Sequence, residues 1–172
     1  MKITVRMTRK IFDDLQMDFA RPHLFAYERV GFLFGRTEKL PDGWVVFPMR
    51  FEPVADENYI RDKYVGAKIN SIAIRKALQT SMTNSESVFH VHQHGGHGLP
   101  GFSGVDIEST KELIPSFCAV SNSNVHGALV LSDDQAAGIA WYPGSLTPVK
   151  TTVSIVGFPT TICIPKFGGQ YE

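Results

Sequence analysis

The chain predicts an α/β fold of mixed order, on three observations. Short runs of β-branched and aromatic residues recur from the first residues to the last third of the chain. Between them lie three segments with caps or apolar spacing suited to helices. Neither a dinucleotide-binding nor a phosphate-binding glycine pattern interrupts the order, and no internal repeat or low-complexity tract is present. At 172 residues, a single domain over 1–172 is the natural expectation.

Lys2 to Met7 reads as a short strand. Thr8 then offers an N-cap, and Ile11, Phe12, Leu15 and Phe19 follow at helical spacing until Pro22 stops the helix. Arg29 to Arg36 is an apolar run holding Gly31 and Gly35, as suits a strand covered on both faces. Pro41-Asp42-Gly43 is a turn signal, so Trp44 to Phe51 returns as the partner strand. Asp56 to Lys68 is polar and irregular and reads as a long loop. Asn70 or Ser71 caps a second helix whose apolar positions are Ile74, Ala77, Leu78 and Met82. Val88 to His92 is a strand, and the Gly- and Pro-rich stretch from His94 to Phe102 is a loop. Ser103 opens a third helix, expected to end near Pro115. Val125 to Leu131 and Ala136 to Trp141 form a hairpin around Ser132 to Gln135, and Val149 to Val156 and Thr160 to Ile164 are late strands.

Composition excludes some classes of function. Lys plus Arg equals Asp plus Glu at 17 each, with no basic stripe, so nucleic acid is not an expected partner. No apolar run is long enough to span a membrane, and Met1 to Lys10 lacks the apolar centre of a signal peptide. Two cysteines, Cys118 and Cys163, make no disulfide framework and read as core thiols in a reduced, cytoplasmic setting.

The chemistry concentrates in the histidines. Four of six fall between positions 90 and 97. His90 and His92 are two apart in a strand-like run, so both imidazoles leave the same face while Phe89 and Val91 point into the core. Two such imidazoles can converge on one cation. Ser103-Gly104-Val105-Asp106 offers a carboxylate for a third ligand, although taken alone it reads better as a capping box. Two histidines and one carboxylate match a catalytic zinc with one position left open. Such a site needs a general base for the attacking water.

These residues resemble the signature of the JAMM (JAB/MPN) metalloproteases: a Glu before an early strand, His-x-His, then Ser-x-x-Asp. Glu28 precedes Gly31-Phe32-Leu33-Phe34-Gly35, and His90-Val-His92 and Ser103-Gly-Val-Asp106 follow in order. The resemblance runs from about Glu28 to Tyr142. It implies a JAB/MPN, cytidine-deaminase-like fold, a mixed sheet flanked by helices. It implies one catalytic Zn2+ held by His90, His92 and Asp106. Glu28 would then move the proton from water to the leaving amine, and Ser103 would donate to the developing oxyanion. Ten residues separate His92 from Ser103, where the family commonly has seven, and Gln93 stands where it has proline. A second register, His92-Gln93-His94, leaves eight. The first is preferred because Phe89 occupies the aromatic position before the motif, which makes Gly95 to Gly101 an insertion and leaves His94 and His97 in the loop.

The resemblance further implies a deubiquitinase-like isopeptidase, closest to members found in bacterial ubiquitin-like conjugation systems. The expected partners are a ubiquitin-like protein and its conjugates, with activating-enzyme-like and conjugating-enzyme-like proteins of the same system. Asp56 to Lys68, with Tyr59 and Tyr64, is the candidate wall beside an extended substrate tail. The alternatives are an inactive scaffold of the same family and a protease processing a sulfur-carrier protein or another peptide. A cytidine-deaminase-type site would need a Cys-x-x-Cys partner, which is absent.

Overall fold

In the computed structural model, residues 2–23 and 26–165 are described. Met1 and residues 166–172 of the expected 1–172 domain lie outside the described residues. Strand β1 (Lys2–Thr8) buries Ile3, Val5 and Met7 on one face, and Thr8 accepts the Ile11 N–H at 3.2 Å to start helix α1 (Arg9–Phe19). β2 (Val30–Leu40) and β3 (Gly43–Pro53) form one long hairpin with a register shift at Phe34/Gly35. Both run further than their apolar cores predicted, because the turn is tight enough to pair Leu40 with Gly43.

The expected long loop after β3 holds a 3-10 turn (Asp56–Asn58) and a bridge between Tyr59 and Ile69. Helix α2 (Ser71–Asn84) is capped by Asn70, whose side chain accepts from the N–H groups of Ile72 and Ala73. Its buried stripe is Ala73, Ala77 and Ser81, and Met82, expected inside, is exposed. β4 (Ser87–Gln93) follows.

Helix α3 (Gly104–Val120) does not end at Pro115 as expected. Pro115 and Lys111, the residue whose carbonyl would have accepted the missing N–H bond, are both exposed. Water can therefore serve that carbonyl, while buried Ile114 and Phe117 carry the helix on. β5 (His126–Leu131), β6 (Ala136–Trp141), β7 (Val149–Val156) and β8 (Thr161–Cys163) complete the order.

The strands lie in the order β1-β3-β2-β4-β5-β6-β7-β8, and β1 also pairs with β7. β1 is thus parallel to β3 through Lys2–Val5 and parallel to β7 through Thr4–Thr8. That second pairing overturns the expected JAB/MPN, cytidine-deaminase-like sheet flanked by helices. Seven strands close into a mixed barrel accompanied by three helices, and β8 extends it from β7. Closure satisfies backbone groups that an open sheet would leave at β1 and β7.

Two apolar clusters follow from the closure. The inner one joins Val5, Leu33, Phe89, Val91, Leu129 and Ile155 with Ile11, Phe12 and Leu15 of α1. The outer one places Phe32, Phe34, Val88 and Ile139 against Ala77 of α2 and Ile114 and Phe117 of α3. β2, β4 and β5 are therefore covered on both sides, as their continuous apolar runs require. Among the described residues no helix is long and apolar enough to cross a membrane.

Candidate metal centre

The site sits where the outer face of β4 meets the start of α3. Period two in β4 sends Phe89 and Val91 inward and His90 and His92 outward. The His94 N–H donates to the Leu131 carbonyl at 2.8 Å, continuing the ladder to β5 one residue past β4. His94 therefore keeps the alternation and joins the face of His92, with their Nε2 atoms 3.2 Å apart.

The carboxylate comes from the first turn of α3. Ser103 and Asp106 form a reciprocal capping box: the Ser103 N–H donates to Asp106 Oδ2 at 2.7 Å, and the Asp106 N–H donates to Ser103 Oγ at 3.2 Å. The cap also aims the carboxylate, with Asp106 Oδ1 3.3 Å from His92 Nε2 and Oδ2 3.5 Å from His94 Nε2. Burial pushes the Asp106 carboxyl upward. The hydrogen bond and charge of His92, with the two Ser103 contacts, outweigh this and hold it below the usual range, so it is ionised.

The two imidazole nitrogens thus stand 3.2 Å apart, and each has a different Asp106 oxygen beside it, at 3.3 and 3.5 Å. Tetrahedral zinc with bonds of about 2.0–2.2 Å places neighbouring donors about 3.3 Å from one another. His92, His94 and Asp106 fit such an ion. One feature departs from the usual arrangement: buried His92 Nδ1 has no partner among the described residues, where a ligating histidine ordinarily donates its other N–H. Contact with Phe102, at 6.4 Å between ring centroids, helps to orient that ring.

Glu28 lines the same cavity as His92 and Asp106. In the β2–β4 register Val30 faces His92, and Glu28 stands two residues before Val30 in the segment that leads into β2. Glu28, His92 and His94 each offer a donor atom within 4.8 Å of the others. The segment before β2 is anchored by Arg29, which donates to the carbonyls of Arg21 and Pro22 and pairs with Asp56 at 2.8 Å. The hydroxyl of Tyr59 takes the Val30 N–H at 2.8 Å.

Of the expected ligands, His92 and Asp106 are brought together, and His94 stands where His90 was expected. His90 lies deeper on the strand, edge-on to Phe32 at 5.7 Å between centroids. Its ring centroid is 5.9 Å from that of His92. Burial, then the neighbouring His92, pushes its pKa down to about 3, so it is neutral. It lines a cavity of about 70 Å³ with Glu28, His92 and Asp106, and also a groove of about 440 Å³ between residues 65–69 and α3.

The expected tail-side wall is rearranged. Tyr59 is buried on β2, Tyr64 is exposed, and Val65, Ala67 and Ile69 line the groove. The loop after His94 is tied to the β5–β6 turn. The Gly98 N–H donates to Asp134, Ser132 Oγ donates to the Gly98 carbonyl, and the Asp133 N–H donates to the Gly96 carbonyl. Gly96 and Gly98 have φ of 98° and 89°, which favour glycine. His97 is exposed beside Asp133 and Asp134 at 3.8 Å, outside the cluster.

Sequence reasoning held His94 only in the second register, and it missed Arg29 and the carbonyl of Gly66, which accepts the Glu28 N–H at 3.0 Å. For His94 a signal existed, since strand alternation carried past Gln93 reaches it. For Arg29 and Gly66 local pattern holds none.

No family model and no curated protein matches the chain. Among solved structures it is similar to the Trichoplax adhaerens STIL N-terminal domain, at 12% identity and a TM-score of 0.40, over 80% of this chain and 41% of that one. The chain thus spans less than half the length of that protein, and a likeness of this extent carries no argument about fold or function.

Proposed function

We propose that this chain is a zinc-dependent isopeptidase or protease of the JAMM type, with the ligands His92, His94 and Asp106, acting after the C-terminus of a ubiquitin-like protein. One observation carries the reading: His92 and His94 Nε2 lie 3.2 Å apart with the Asp106 carboxylate 3.3 and 3.5 Å from them, close to the edge of a zinc tetrahedron. The second register of the histidine motif, with eight residues before Ser103, is the one this spacing favours.

When bound, zinc supplies Lewis acidity toward an amide carbonyl and lowers the cost of deprotonating the attacking water. The chain's own residues do the rest. Glu28 stands within 4.8 Å of both imidazole donors, placed to accept the water proton and return it to the leaving amine. Ser103 Oγ accepts from Asp106, which leaves its O–H to donate to the developing oxyanion. The groove between residues 65–69 and α3 reaches the cluster through His90, Val65 and Ala67, and is open to an extended tail. The free thiols of Cys118 and Cys163 suit a reduced, cytoplasmic setting, and partners would be ubiquitin-like conjugates and the proteins that make them.

Purified protein is expected to hold about one zinc per chain, the number one three-ligand site takes. Glu28→Gln should keep that zinc and lose turnover of ubiquitin-like fusions by about 10²–10⁴-fold, the usual worth of a general base. Metal analysis beside steady-state kinetics decides it, and full turnover in Glu28→Gln would remove Glu28 from the mechanism.

A further inference from the structure

Gly66 touches Glu28 in two ways. Its carbonyl accepts the N–H of Tyr27 at 2.8 Å and of Glu28 at 3.0 Å, which fastens the backbone of the base to the segment between β3 and α2. Its Cα faces the carboxylate itself. A methyl group built at Gly66 would lie 2.5 Å from Glu28 Cδ, 2.5 Å from Oε2 and 2.7 Å from Oε1. Both residues line the small cavity with His92 and Asp106.

The backbone at Gly66 does not lie in the left-handed region, so no turn geometry demands glycine there. The room is needed by the carboxylate. The three nearest atoms that a methyl would meet belong to the far end of one flexible side chain, so relief would come from rotating Glu28 before any shift of main chain. We infer that Gly66 is a positioning residue for the general base: its carbonyl holds the Glu28 backbone, and its missing side chain leaves the carboxylate the one place from which it reaches His92 and His94. This rests on the reading of Glu28 as the base.

The test is Gly66→Ala, alone and combined with Glu28→Ala, in metal-free and zinc-loaded full-length protein. In metal-free protein the carboxyl 13C resonance of Glu28 should move, with the fold intact by circular dichroism. With zinc, stoichiometry and KM should stay as in the parent while kcat falls about 10–100-fold, the scale of a base misplaced by roughly an ångström. An unmoved resonance with parental kcat overturns the inference. If Gly66→Ala instead lowers Tm, Glu28→Ala in the same chain should restore it, because the clash is with that carboxylate. A Tm not restored means the methyl meets something else, and the inference fails. Glu28→Gln run in parallel separates the two claims. Turnover retained there defeats the proposed base, whereas turnover lost there with parental behaviour of Gly66→Ala defeats only the role of Gly66.

Discussion

His90 and His94 carry the same imidazole two strand steps apart, and their surroundings assign them different work. His94 meets a carboxylate oxygen at 3.5 Å and a second imidazole at 3.2 Å, so its lone pair has charged and polar company suited to a cation. His90 has Phe32 against its edge and a pKa pushed to about 3, and it faces the cavity as a neutral ring. His94→Ala is therefore expected to abolish stoichiometric zinc binding, and His90→Ala to retain it while altering KM for an extended substrate. Metal titration with a chromogenic zinc chelator distinguishes them, and zinc lost only in His90→Ala would restore the first register. Most of the site was legible at this scale, since Glu28, His92, Ser103 and Asp106 all follow from motif order. His94 was set aside because Phe89 favoured the first register, and a residue pattern cannot show that the Leu131 carbonyl keeps position 94 on the ladder.

At the scale of elements, caps and faces do more than end helices. The Ser103 and Asp106 box starts α3 and also points a carboxylate at His92 of β4, so the capping and metal readings of those residues describe one geometry. His126 ties the other end of α3 to the sheet. Its Nδ1 accepts the Val88 N–H at 3.1 Å, and its Nε2–H donates to the Ser121 carbonyl at 2.8 Å. Burial holds its pKa below the ordinary histidine value. The unfolded chain then takes up this proton first as pH falls. Stability is present above about pH 6.5 and declines below it, as the sign of proton linkage requires. His23 and His90 shift in the same direction and add to the slope. Urea unfolding of metal-free protein between pH 7.5 and 5 should show this loss, and His126→Gln should flatten it; an unchanged slope would deny His126 its part. Helix caps, hairpin and strand runs were readable because they depend on neighbours in sequence. The passage of α3 through Pro115 was not, because it depends on Ile114 and Phe117 finding a sheet to pack on.

For the whole molecule, the pairing of β1 with β7 decides the architecture. It joins Met7 to Ile155 across most of the chain and encloses the inner cluster. Ile155→Ala should destabilise the fold by about 2–5 kcal/mol, the range for removing a buried branched side chain. Folded Ile155→Ala should still bind zinc normally, because the interior lies on the face of the sheet opposite the histidines. Urea midpoints and zinc stoichiometry read both parts, and a near-zero change in midpoint would argue against a closed interior. By itself the sequence determined the strands, the caps, the face on which the histidines stand, and the histidine and carboxylate types of the candidate cluster, because each rests on period two, period 3.6 or a short fixed spacing. Tertiary structure alone decided that the sheet closes, that His94 meets His92 and Asp106, and that Gly66 crowds Glu28. Each of those depends on contacts between segments far apart in the chain, where the free energy comes from burial and fit, and local sequence carries no record of which partner is met.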